Sequence, residues 1–149
     1  MRSHRVNLVC LLAAGIFGGN GVSAANVDVC VALPIATVNE LIHQNLTGVR
    51  ADVSEEAHSY GCAYGAGGLV SVSVIRPGGA AAFSRTSGRY PNATTVAGLG
   101  DKAVYDKSLG TIAVFGDMVI HAFLPRGSMS DTQTLAAEQS LILALRSKL

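Results

Sequence analysis

The chain has 149 residues, 49% of them apolar and 14% charged, with 17 Gly, 3 Cys, no Trp and a formal net charge of +1. That length suits one domain, and the apolar content with so few charges excludes a disordered chain. The near-zero charge lacks the basic excess of nucleic-acid binders, so no nucleic acid is expected as a partner.

The first segment reads as an export signal. Arg2 and Arg5 make a positive start, Leu8 to Phe17 is an unbroken apolar or small run, and Gly18, Gly19, Asn20 and Gly21 then break the helix. Val22-Ser23-Ala24 offers the small residues that signal peptidase accepts, so residues 1–24 are expected to be cleaved and 25–149 to form a single α+β domain. A run of ten residues is too short for a bilayer core that needs about 20, and no transmembrane segment is expected in the mature chain. Cys10 follows Asn7-Leu8-Val9 and lacks the small residue that lipid modification requires just before the cysteine. Without Arg2 and Arg5, nine basic residues face ten acidic ones, a formal charge of −1. Cys10 leaves as well, so Cys30 and Cys62 remain, and an even count in an oxidising compartment predicts a disulfide. Closing that loop stabilises the fold by about 3.7 kcal/mol in the chain-entropy model.

Ile35, Val38, Leu41, Ile42 and Leu46 share one arc at 100° per residue, which predicts an amphipathic helix over about 35–45, with Pro34 at its first turn and Gly48 ending it. A polar stretch reaches Ser59, with a short strand near Val49 to Val53. Tyr60 to Tyr64 and Leu69 to Arg76 read as strands joined by Gly65-Ala66-Gly67-Gly68. Val70, Val72 and Val74 alternate with Ser71 and Ser73, the pattern of a sheet with one wet face. After Pro77-Gly78-Gly79, Ala80 to Thr86 predicts a short helix anchored by Phe83, and Gly88 to Gly100 reads as loop. Lys102 to Asp106, Thr111 to Phe115 and Met118 to Leu124 read as strands, the last two joined by the two-residue turn Gly116-Asp117. That turn places Phe115 opposite Met118, Val114 opposite Val119 and Ile112 opposite His121. Ser130 with Gln133 makes a capping box for a final helix running toward Leu149, expected to lie across one sheet face with Leu135, Ile142 and Leu145 inward. The fold class is α+β, a mainly antiparallel sheet covered by helices in the order helix, strands, helix, strands, helix. Ala63-Tyr64-Gly65 before Leu69-Val70-Ser71-Val72 is echoed by Val104-Tyr105-Asp106 before Thr111-Ile112-Ala113-Val114, which would fit two related halves.

Three motifs carry a family resemblance: Asp28-Val29-Cys30-Val31-Ala32-Leu33-Pro34 before a helix, Cys62-Ala63-Tyr64, and Val96-Ala97-Gly98-Leu99-Gly100-Asp101-Lys102-Ala103. Together they resemble the small exported proteins of the domain of unknown function 3558 group, many of them actinobacterial lipoproteins. That group has a Cys before the first helix, a Cys followed by an aromatic two residues later, and a Gly-Leu-Gly-Asp-x-Ala turn. The present chain departs from it in lacking a lipidation Cys and in carrying Tyr64 where Trp is frequent. The resemblance implies architecture and export, and brings no established activity.

Catalytic signals are sparse. Gly98-Leu99-Gly100-Asp101 lacks the Lys-Ser/Thr of a phosphate loop and is followed by strand residues, so it reads as a turn with Asp101 accepting from nearby amides. His43, His58 and His121 form no pair at ligand spacing, and no Ser sits in a Gly-x-Ser-x-Gly elbow. No metal, cofactor or catalytic residue is therefore expected. Glu138 falls inside the apolar arc of the last helix; the helix dipole favours it at the rim near the helix start, the alternative being a buried carboxylate meeting a donor. The favoured reading is an exported, periplasmic or extracellular, non-catalytic binding domain whose partner is another envelope or secreted protein, with oligomeric state left open. The first alternative is an inhibitor of a hydrolase that presents Arg89, Tyr90 and Pro91, in a loop from Gly88 to Thr95 whose plainer reading is a connector. The second is a small hydrolase using His121, which would need a Ser and an acid beside it.

Overall fold

The alternation in Val70–Ile75 becomes a physical division: Val70, Val72 and Val74 are buried, while Ser71, Ser73 and Ile75 are partly exposed on the opposite side. The computed structural model describes residues 27–149, so the expected leader and its cut after Ala24 lie outside the described residues. The described strands are β1 (Val49–Ser54), β2 (Ser59–Tyr64), β3 (Val70–Ile75), β4 (Thr94–Thr95), β5 (Lys102–Asp106), β6 (Gly110–Phe115) and β7 (Met118–Phe123). The helices are α1 (Val29–Ala32), α2 (Ile35–Ile42), α3 (Gly79–Ser87) and α4 (Asp131–Arg146). The strands form one antiparallel sheet in the order β1-β2-β3-β7-β6-β5-β4, so this is a mainly-sheet protein flanked by four helices.

The element order differs from expectation at three places. A separate helical turn, α1, precedes α2: the Asp28 carboxylate accepts the Val31 N–H at 3.1 Å, and Pro34 supplies no N–H to carry the turn onward. The first long helix stops at His43, not Gly48, because His43 takes the left-handed conformation (φ 53°). The Asn39 amide stabilises that exit by donating to the Leu46 carbonyl (3.1 Å) and accepting the Leu46 N–H (2.8 Å). The loop expected over 88–100 contributes the two-residue β4.

The Gly116-Asp117 turn sets the register as expected, with Phe115 against Met118, Val114 against Val119 and Ile112 against His121. Gly116 there has φ 59°, accessible to glycine at no steric cost. The sheet then sorts its side chains. On one face Cys62, Tyr64, Val72, Ala113, Ile120 and Ala122 pack beneath α1, α2 and α4. Leu141, Ile142 and Leu145 are fully buried there, and Leu135 is partly buried against them. Both halves of the Ser130–Gln133 capping box form.

Two bonds from one strand clasp the N-terminal helices to this face. Cys62 and Tyr64 point the same way from β2; Cys62 bridges to Cys30, and the Tyr64 hydroxyl donates to the Leu33 carbonyl at 2.6 Å. The expected disulfide is thus formed, and it suits a non-reducing compartment. Burial, with a smaller contribution from Asp28, pushes the Tyr64 pKa up, so its hydroxyl stays a donor.

On the other face α3 is the one described helix that packs, with Ala82 buried against Ile112, Val114 and Val119. The start of α3 is seated on the β6–β7 hairpin: Gly78 and Gly79 both donate to the Asp117 carbonyl at 3.0 Å. A Cβ on Gly79 would lie 2.5 Å from the Gly116 carbonyl oxygen, so only glycine permits this approach. The suggested internal echo has a topological counterpart, since a helix precedes a three-stranded meander in each half and the meanders meet at β3–β7. Their helices nonetheless lie on opposite faces. A two-fold relating antiparallel neighbours runs normal to the sheet and would keep them on one face.

Candidate functional site

The less covered sheet face carries the residues singled out from the sequence. Arg89, Tyr90 and Pro91 leave the C-terminus of α3 and cross the end of the sheet where β5 turns into β6. Three bonds pin this loop. The Tyr90 hydroxyl reaches the Leu109 carbonyl (3.4 Å), the Asn92 N–H donates to Asp106 Oδ2 (3.2 Å), and the Thr94 hydroxyl donates to the Tyr105 carbonyl (3.3 Å). Asp106 is buried and also accepts the Ser108 N–H at 2.8 Å, so one carboxylate ties the loop to the β5–β6 turn. Arg89 and Pro91 are exposed, while Tyr90 folds inward toward Ile112 and Val114.

Tyr90 meets His121 edge to face, with ring centroids 6.4 Å apart. The His121 Nε2 lies 2.7 Å from the Leu109 carbonyl, so the proton on Nε2 is donated there. Burial lowers the His121 pKa, opposed in part by that bond, which keeps the imidazole neutral near pH 7. Burial raises the Tyr90 pKa, and the charges of Glu138 and Asp106 raise it further. The cross-strand partners of His121 are Ser73 and Ile112. Its described bonds go to a backbone carbonyl and an aromatic edge rather than to an acid, so the imidazole acts here as a packed donor. Beyond it the face opens: Ser71, Ser73 and Phe123 are half-exposed, and Arg50, Asp52 and Ser54 at the sheet edge are exposed.

Glu138 corrects the rim expectation. Its side chain is 1% exposed and accepts from the Thr111 hydroxyl (2.7 Å) and the Leu124 N–H (2.9 Å). The carboxylate therefore joins α4 to β6 and to the residue following β7, on the helix-covered face. Burial pushes its pKa up to about 7, against the pull of those same bonds. The apolar arc of α4 was the available signal, and the partners came from elements 27 and 14 residues away.

The remaining candidates settle as architecture. Asp101 accepts the Gly116 N–H at 2.7 Å, which locks the Gly98–Asp101 turn to the hairpin, and Gly98 and Gly100 have positive φ. His43 and His58 are exposed, and no group of three or more His, Cys, Asp or Glu residues among the described residues could hold a metal ion. No described helix is long and apolar enough to cross a membrane. Comparisons with family models, with curated proteins and with solved structures found no match.

Proposed function

We infer that this chain is an exported, non-catalytic binding domain whose contact surface is the open sheet face bordered by Arg89–Tyr90–Pro91. The observation that carries this reading is the unequal covering of the sheet. From β2 to β6 one face is covered by α1, α2, α4 and the Cys30–Cys62 bridge, while α3 covers only part of the other and leaves Ser71, Ser73 and Phe123 half-exposed. A pinned loop beside a strand surface of serines and Phe123, edged by Arg50 and Asp52, presents a partner with a preorganised patch, which lowers the ordering cost of binding. The expected partner is another envelope or secreted protein. Export rests on the leader pattern and is supported by a disulfide that reducing compartments disfavour. The likeness to the domain of unknown function 3558 group is part of the same proposal. It is supported by the structural use of its motif residues: Cys30 and Cys62 in the bridge, Tyr64 on Leu33, and Asp101 on the hairpin.

Inhibition of a hydrolase is the second reading, favoured by the bonds that hold the loop rigid while Arg89 and Pro91 protrude. Catalysis through His121 gains no support from an imidazole whose Nε2 proton is held by Leu109.

Photo-crosslinking residues placed at Ser73 and Pro91 of the exported protein test the assignment, with exposed Glu40 on α2 as control. Capture of the same envelope protein from Ser73 and Pro91 but not Glu40 supports it. Equal capture from all three positions, or from none, overturns it.

A further inference from the structure

Among the described residues the sheet ends at β1, an edge strand whose six residues are all exposed. Natural edges are usually blunted by lysine, proline, a bulge or shortness. This one has no lysine, proline or bulge, since Val49–Ser54 pairs with β2 in unbroken register, and its charges are one of each sign, Arg50 and Asp52, which a second copy can neutralise. Val49 and Val53 are 46% and 54% exposed, among the largest exposed apolar side chains of the described residues. They share a side with Ala51, and Val53 borders a cavity also lined by Val27, Asp28, Val29, Ala51 and Tyr60.

The direction of the free hydrogen-bonding groups follows from the neighbouring bond. The Gly65 N–H donates to the Gly48 carbonyl at 2.9 Å, so Gly48 faces β2. Antiparallel alternation then turns the N–H and C=O of Val49, Ala51 and Val53 outward, away from β2.

We propose that β1 is the pairing edge for a second copy of this chain, antiparallel about a two-fold axis at Ala51. In that register Ala51 meets Ala51 of the second copy, Val49 meets Val53, and Arg50 meets Asp52, each twice by symmetry. The outward groups of Val49, Ala51 and Val53 then form about six inter-chain hydrogen bonds. Other registers are worse. A shift of the pairing centre to Arg50 or Asp52 sets like charges opposite each other, and an intermediate shift sets charged residues against apolar ones. The pattern Val-Arg-Ala-Asp-Val is complementary to itself read backwards, which is what a two-fold interface requires and what a strand from an unrelated protein would not. The two-fold runs normal to the sheet, so both open faces would lie on one side of a continuous sheet.

Sedimentation analysis of the exported, disulfide-bonded protein over a concentration series tests this. The wild type should show a monomer–dimer equilibrium. Ala51→Pro should raise the dimer dissociation constant at least tenfold, about what losing two central bonds implies, while keeping the β1–β2 bonds because the lost N–H points outward. Arg50→Asp and Asp52→Arg should each weaken the dimer, and the double exchange should restore it, a result tied to this register alone. Should Ala51→Pro fail to fold, the charge exchange decides independently. A protein that is monomeric at every concentration, a dimer unaffected by Ala51→Pro, or a double exchange no better than the singles each overturns the proposal; the first leaves the edge to a strand from another protein.

Discussion

Val72, Ala113, Ile120 and Ile142 are all fully buried where α4 crosses the sheet, whereas Ser71, Ser73 and His121 on the reverse of the same strands are partly exposed. Both faces are made by the same backbone, so the contrast lies in the side chains and in what each helix brings. The helix-covered face is secured three ways: by apolar contact, by a covalent bridge, and by polar clasps from Tyr64 and Glu138. The other face depends on one short helix, a hairpin contact through Asp117 and a loop pinned by Asp106. Stability should therefore concentrate on the first face and recognition on the second, where incomplete covering leaves surface for a partner.

Substitutions can break that contrast. The largest loss is expected for Ile142→Ala, about 4 kcal/mol by chemical denaturation, since a fully buried aliphatic side chain leaves a cavity under the sheet. Removing the bridge with Cys30→Ala and Cys62→Ala together should cost about 3.7 kcal/mol, read as a lower denaturation midpoint of the variant against the oxidised wild type. Glu138 makes the same face pH-sensitive. Its pKa is raised from an ordinary 4.5 to about 7, so the folded state holds a proton that the unfolded state releases. Its contribution is fully present below pH about 4.5 and is lost as pH rises toward about 7, a fall of up to about 3 kcal/mol. Denaturation from pH 4.5 to 8 should show that slope, and Glu138→Gln should flatten it. On the opposite face Phe83→Ala should cost only about 1–2 kcal/mol, because Phe83 is half-buried. The smallest effect belongs to exposed His43: His43→Ala should stay within about 0.5 kcal/mol, and His43→Gly should gain a similar amount by relieving the left-handed backbone. Equal losses from Ile142→Ala and Phe83→Ala would contradict the division of labour between the faces.

Much of this arrangement was legible along the chain wherever the decisive partner lay a few residues away. The valine–serine alternation marked β3, Gly116-Asp117 specified the last hairpin pair by pair, and Ser130 with Gln133 announced the start of α4. The pair Cys30 and Cys62 was readable because counting cysteines needs no geometry. The separate turn α1, the early stop at His43 and strand β4 were not, since each depends on a local polar bond or a lone ladder pair too short to leave a periodic trace.

The sequence by itself determined the strands and helices other than α1 and β4, the sheet register at the hairpin, the bridge and the side of α4 that turns inward. Those follow from periodicity and turn chemistry, which act over one or two turns of chain. Only the tertiary structure decided that Glu138 is buried between Thr111 and Leu124, that Tyr90 folds onto His121, and that β1 stands at an open edge. A carboxylate's burial depends on donors delivered by distant strands, and an edge exists only by reference to strand order, which no local pattern encodes.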